Sequence, residues 1–339
     1  MLATVLIVNA AFVSSLTAMT SQAKPDQLLV EGKQAPLNVH SAHPRLSWHS
    51  NVVRQGHYQI QVARDESSLV NGKASLWDSG KTKSEQSINA EYAGKPLGSS
   101  ETAFWRVRVW PKGEDNPGTW SDIHSWDMGL LEKSDWKASW IQVAHPVAAQ
   151  NHEALEQWIS YAANVPILED DVEPHVIEKL NDQPTASLFR RQFTVSKKLA
   201  RAKLHSTAAG YYEIYLNGEK VDDRLMDPGQ TDYDKRILYN TDEVTPLIVN
   251  GANTIAVHLG SSWYNEEIAF SKPDKNLSYG QPKFIAQLEL IYADGSSELV
   301  NTDGQWTSHP SPISKEGVFS GEFYDRTRFV SGWNSNTLN

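Results

Sequence analysis

The chain has 339 residues, a length that suggests about two domains, and its 40% hydrophobic and 21% charged residues mark a globular composition. A net charge of −10, with 31 Lys+Arg against 41 Asp+Glu and no local basic run, argues against nucleic acid or an anionic membrane as the main partner. With no cysteine, disulfides, thiolate metal sites, a cysteine nucleophile and a cysteine-linked lipid anchor are excluded.

The N-terminus carries the first pattern. Leu2 to Val13 is mostly apolar, and small and polar residues follow, ending Ser21-Gln22-Ala23 before Lys24-Pro25. This resembles a secretory signal spanning residues 1–23, although no Lys or Arg precedes the apolar run. A buried first strand or a membrane anchor is the structural alternative. The run is shorter than the about 20 residues of a spanning helix, and no second long apolar stretch follows. The expectation is an exported chain, periplasmic or secreted, with no membrane segment in its mature form.

Residues 24–131 read as one β-sandwich. Tyr58, Ile60 and Val62 alternate with Gln59 and Gln61, and Trp105, Val107 and Val109 alternate with Arg106 and Arg108. That period of two belongs to half-buried strands. Between them, Leu76-Trp77-Asp78-Ser79-Gly80 reads as a strand end entering a turn. Residues 132–186 read as a junction with a helical insertion, because Leu155, Trp158, Ile159 and Ala162 follow helical spacing. A second short helix is expected around Val172 to Leu180, with Pro174 in its first turn.

Residues 187–335 return to β. Tyr212, Ile214 and Leu216 share one face, with Tyr211, Glu213, Tyr215 and Asn217 on the other. Asn217-Gly218 supplies the left-handed residues of a tight hairpin. Further strands are expected at Ile255 to Leu259 and at Phe284 to Tyr292, the latter turned back by Asp294-Gly295. The fold class is therefore all-β: an immunoglobulin- or fibronectin-like sandwich, then a jelly-roll sandwich.

No metalloprotease, phosphate-loop, dinucleotide, nucleophile-elbow or EF-hand motif is present. The acidic runs Glu169-Asp170-Asp171 and Glu266-Glu267 could each be a catalytic pair or a metal site. Adjacent residues on a strand point to opposite faces, however, which favours solvated loops. Twelve tryptophans are more suggestive, since indoles stack on sugar rings as readily as they fill β-sandwich cores. Trp263-Tyr264, placed after Gly260-Ser261-Ser262 at a strand end, is a candidate carbohydrate contact. Glu213 and Asn217 are added from the face opposite the core.

The motifs then follow a recognisable order. Pro44-Arg45-Leu46-Ser47-Trp48, Leu76-Trp77-Asp78-Ser79-Gly80, Phe104 to Trp110, Trp120-Ser121 and Met128-Gly129-Leu130-Leu131 resemble the N-terminal fibronectin-like module of bacterial α-L-rhamnosidases. Gly210 to Val221, Asp227-Pro228-Gly229-Gln230-Thr231-Asp232-Tyr233, Tyr239 to Thr245, Leu259 to Tyr264, Gly321-Glu322-Phe323-Tyr324-Asp325 and Gly332-Trp333 resemble the module that follows it. The resemblance implies a galactose-binding-like sandwich related to rhamnose-binding modules that can hold calcium. Asp227, Asp232, Glu322 and Asp325 are oxygen ligands suited to such an ion, or else residues that cap turns and hold the sandwich edge.

The resemblance also implies that acid and base carboxylates sit in an (α/α)6 barrel beyond this region. Inverting hydrolysis needs two carboxyls about 6.5–9.5 Å apart. The sequence to Asn339 holds no segment of that kind. The expectation is an accessory, non-catalytic part of a glycoside hydrolase, truncated or split from its barrel. The alternatives are a free-standing binding protein for rhamnose-containing glycans and a pure scaffold. Expected partners are a rhamnose-containing carbohydrate and a separate or downstream catalytic barrel, with no cofactor required beyond an optional calcium.

Overall fold

The computed structural model describes residues 23–142, 159–160, 186–266, 277–318 and 321–338. The signal-like segment up to residue 22 and most of the expected helical insertion lie outside the described residues. The chain folds into two compact units. The first runs through Pro36 and adds Ser41–Leu97 and Thr102–Trp126; the second takes Leu37–His40, Gly98–Glu101 and Asp127 onward.

The first unit contains β1 (Asp26–Val30), β2 (Arg45–His49), β3 (Gln55–Ala63), a short α1 (Glu66–Val70), β4 (Trp77–Asp78), β5 (Thr82–Lys83), β6 (Ala90–Glu91), β7 (Thr102–Pro111) and β8 (His124–Asp127). Strands β1-β2-β6 form one antiparallel sheet and β4-β3-β7-β8 the other, with β5 also on β3. Strand β7 shows why: Ala103, Trp105, Val107 and Val109 are fully buried on one face. On the other face Arg106 and Arg108 lie over the Trp120 ring at 4.3 and 4.6 Å. Aromatic edges bridge the sheets, with Tyr92 against Trp126 at 5.6 Å and Trp48 against Tyr58 at 5.2 Å. Helix α1 was not expected from the sequence. Asp65 caps it by accepting from the Ser68 amide at 2.8 Å, and it buries Leu69.

The second unit begins its strands with β9 (Ile159–Ser160), β10 (Ser187–Val195), β11 (Leu199–Ala209), β12 (Tyr211–Leu216), β13 (Glu219–Lys220), β14 (Asn240–Glu243) and β15 (Gly251–Gly260). It continues with β16 (Asn265–Glu266), β17 (Leu277–Ser278), β18 (Lys283–Tyr292), β19 (Ser297–Asn301), β20 (Thr307–Pro310), β21 (Ile313–Gly317) and β22 (Gly321–Tyr324). A six-stranded sheet, β13-β12-β15-β10-β20-β9, and a four-stranded sheet, β14-β11-β18-β19, are both antiparallel. Phe189, Leu204, Ile214, Val257, Phe284, Leu288 and Trp306 belong to the core cluster that both sheets supply. Each such side chain contributes about 1.5–3 kcal/mol on burial.

Asn217 and Gly218 close the β12–β13 hairpin with φ of 54° and 92°, and Leu216 pairs with Glu219 across them. The expected two-residue turn is thus present. Ile159 departs from expectation. Helical spacing places it on an apolar stripe, yet its backbone pairs with Ser308 as an edge strand. Four spaced residues are too few to separate a helix from a strand when a neighbouring strand offers free backbone groups. Leu155, Trp158, Ala162 and the segment Val172 to Leu180 lie outside the described residues.

Candidate functional site

The end of β15 places Trp263 and Tyr264. Gly210, at φ 140°, passes so close that a Cβ there would sit 2.2 Å from the Gly260 carbonyl oxygen. The chain can therefore turn from β11 into β12 beside Gly260 only without a side chain. A 3-10 turn, Ser262–Tyr264, follows. It sends Tyr264 inward, 1% exposed, stacked on Tyr279 at 5.8 Å and edge-on to Tyr233 at 5.3 Å. Trp263, Trp140 and Ile237 pack partly buried around this cluster. Among the described residues the Tyr264 hydroxyl has no hydrogen-bond partner. Burial, with Asp234 and Tyr233 nearby, pushes its pKa up to about 12. The two candidates are therefore split: Tyr264 is core, and Trp263 alone keeps solvent access.

Glu213 lies on the outer face of the six-stranded sheet, opposite His258 on β15. Its carboxylate accepts from Lys220 Nζ at 2.6 Å and from the Tyr215 hydroxyl at 2.7 Å. Burial alone would raise the Glu213 pKa, but Lys220 and Tyr215 outweigh it and hold it below the ordinary value. His258 bonds Ser311 Oγ at 2.7 Å, and burial lowers its pKa against the pull of Glu213. The C-terminal segment lies over the same face. Trp333 packs with Leu188 and Ala256, edge-on to Tyr215 at 5.4 Å. Arg190 donates to the carbonyls of Ser335 and Leu338, both at 3.1 Å.

Asn217 is used up by its own turn. Its Nδ2 donates to the Leu247 carbonyl and to Asn253 Oδ1, both at 2.8 Å. Its Oδ1 accepts from the Thr254 amide at 2.9 Å and from Asn336 Nδ2 at 3.2 Å. That fills its amide's usual capacity, which fits a residue that pins the hairpin.

The four oxygen-rich candidates occupy separate settings. Asp227 Oδ2 accepts from Arg224 Nε at 2.9 Å and from Asn240 Nδ2 at 2.5 Å. Asp232 pairs with exposed Lys235 at 2.7 Å. Asp325 caps a 3-10 turn by accepting from the Thr327 amide at 2.9 Å, and Glu322 is exposed on β22. Among the described residues no three His, Asp or Glu side chains form a group that could hold a metal ion. As placed, the four do not fit one shared calcium site. Arg224 already gives Asp227 the positive charge that an ion would.

Two charge centres escaped the sequence reading. Arg224 bridges Asp222 at 2.7 Å, Asp227 at 2.9 Å and Asp242 at 2.8 and 2.7 Å, which ties the long β13–β14 connection to β14. Its signal was the alternation Asp222-Asp223-Arg224 with Asp227, but the distant Asp242 could not be inferred. The other centre lies on the outer face of the four-stranded sheet. Arg201 forks onto Asp127 at 2.8 and 2.7 Å. Lys203, 1% exposed, donates to the Ser100 carbonyl at 2.8 Å and lies 3.7 Å from Asp127 and 3.6 Å from Glu289. Beside it, fully buried His205 bonds Thr241 Oγ1 at 2.9 Å, and Trp136 and Tyr239 present ring edges to it.

Residues 197–339 match the profile described as the α-L-rhamnosidase N-terminal domain, and residues 25–132 match that of the Rha78A-like N-terminal immunoglobulin domain. The chain is the counterpart of the N-terminal part of α-L-rhamnosidases. An α-L-rhamnosidase of Alteromonas sp. (strain LOR) is 35% identical over 319 residues, covering 91% of this chain and 31% of the relative. One from Formosa agariphila is 33% identical over 320 residues, with the same coverage of 91% and 31%. The solved α-L-rhamnosidase of Dictyoglumus thermophilum gives a TM-score of 0.75 at 30% identity, covering 93% of this chain and 33% of that one. The chain thus spans about a third of the length of the α-L-rhamnosidases it matches. Its two sandwiches occur in the order that the motifs implied.

Proposed function

We propose that this chain is the accessory, non-catalytic part of an α-L-rhamnosidase-type glycoside hydrolase whose parent activity is inverting removal of terminal α-L-rhamnose. The ordered pair of domain matches, with the Alteromonas relative aligned over 91% of the chain but 31% of its own length, carries this reading. The test uses an aryl α-L-rhamnoside, with the chain alone and with the chain substituted for the matched part of the Alteromonas relative. No release is expected from the chain alone, and hydrolysis from the joined protein. Turnover by the chain alone that one carboxylate substitution abolishes would overturn the reading, as would a folded but inactive joined protein.

Carbohydrate binding is the second reading, supported by Trp263, the half-buried indole beside the Tyr233–Tyr264–Tyr279 cluster. Calorimetric titration with L-rhamnose and rhamnose-rich glycans, with and without calcium, tests it. Heat that Trp263→Ala removes supports it, and no heat at millimolar sugar ends it. Export belongs to the same proposal. It rests on the apolar run Leu2 to Val13, and N-terminal sequencing of the cell-envelope protein should begin at Lys24.

A further inference from the structure

Strands β21 and β22 form a two-stranded hairpin that joins neither large sheet. All four residues of β22, Gly321 to Tyr324, are exposed. Phe323 is 64% exposed and Tyr324 55%, and Phe329, just beyond the next 3-10 turn, is 54% exposed. Among the described residues, every other Phe, Tyr and Trp is buried or half-buried. Asp325 sets the shape between them: it caps the turn Arg326–Arg328 and holds Arg328 at 3.3 Å, while Arg326 stays exposed. Three aromatics and an arginine within seven residues form the composition that dominates protein–protein contact energy. Large rings exposed on the hairpin and on the turn beyond it are costly to leave in water.

We propose that Phe323, Arg326 and Phe329 are the docking surface for the polypeptide that follows this region in the longer α-L-rhamnosidases, Tyr324 pointing to the opposite face of its strand. This rests on the accessory reading above. The occupant follows from the relatives' lengths, since the matched part is 31% of each and the greater share of their chains remains to be packed against it. Its chemistry follows from the surface: an apolar depression to take the aromatic rings, edged by a carboxylate for the Arg326 guanidinium.

The joined protein, with this chain replacing the matched part of the Alteromonas relative, is compared with the chain alone by hydrogen exchange. Amides of residues 321–329 should exchange about tenfold or more slower in the joined protein. The pair Phe323→Ser and Phe329→Ser, or Arg326→Glu, should abolish that protection yet leave the unfolding midpoint of the chain alone unchanged. An active joined protein whose hairpin exchanges as fast as in the chain alone overturns the docking surface and leaves the accessory reading standing. A folded, inactive joined protein overturns the accessory reading, and the docking surface falls with it. If the joined protein does not fold, hydrogen exchange of the whole Alteromonas relative over the segment aligned with residues 321–329 decides the matter: unprotected amides there overturn docking.

Discussion

His205 is one residue through which pH reaches the second unit. Burial, with Lys203 beside it and Asp127 opposing, brings its pKa down from 6.5 to about 4. The unfolded imidazole binds a proton between those values and the folded one does not. Stability is therefore whole above pH 6.5 and declines as pH falls towards 4. The full difference is on the order of 3 kcal/mol. Urea midpoints measured from pH 7.5 to 4.5 should show a steeper acid loss for the native chain than for His205→Asn, whose amide can still bond Thr241. Parallel pH profiles would remove His205 from the account. None of this was legible in the sequence, because alternation tells which face His205 takes but not that Trp136 and Tyr239 would close over that face. Asn217-Gly218 was legible because a two-residue hairpin demands left-handed backbone at both positions. Tyr264 was half legible: the strand end was right, and the inward turn of the loop was not.

Among elements, the strands of both cores could be read from alternation, and the segment that covers a sheet could not. Trp333 is an example. The sequence places it in a closing motif, while the structure lays it over Leu188, Ala256 and Tyr215 on the outer face of the six-stranded sheet. That face would otherwise expose a mixed surface of Glu213, His258 and Arg190. Covering it adds the bonds of Arg190 to Ser335 and Leu338 and of Asn336 to Asn217 and Ala252. Trp333→Ala should cost about 3 kcal/mol, at the lower end for a large aromatic because the site is at a margin rather than in the central core. Denaturant unfolding measures the cost, and proteolysis should then cut first within Val330 to Leu338. A loss below about 1 kcal/mol would mean that the backbone bonds hold the segment without the indole.

At the scale of the whole molecule, the chain enters the second unit three times, at Leu37–His40, Gly98–Glu101 and Asp127 onward. Two of these visits neutralise charge. Asp127 holds Arg201 and lies near Lys203, and the Ser100 carbonyl accepts from Lys203. A buried ammonium tolerates burial only while such partners remain, and removing one partner of a buried pair costs about 3–5 kcal/mol. Asp127→Asn should therefore lower the urea midpoint by that order, with Arg201 and Lys203 left short of a carboxylate. The double change Asp127→Asn, Lys203→Met should recover part of the loss, because a thioether of similar length needs no counter-ion. A double variant no more stable than the single one would show that Lys203 is held by Ser100 and Glu289 alone. A second unit cut from the chain after residue 131 would lose Asp127 and Ser100 together, so Lys203→Met should raise the soluble yield of that fragment more than it changes the whole chain's.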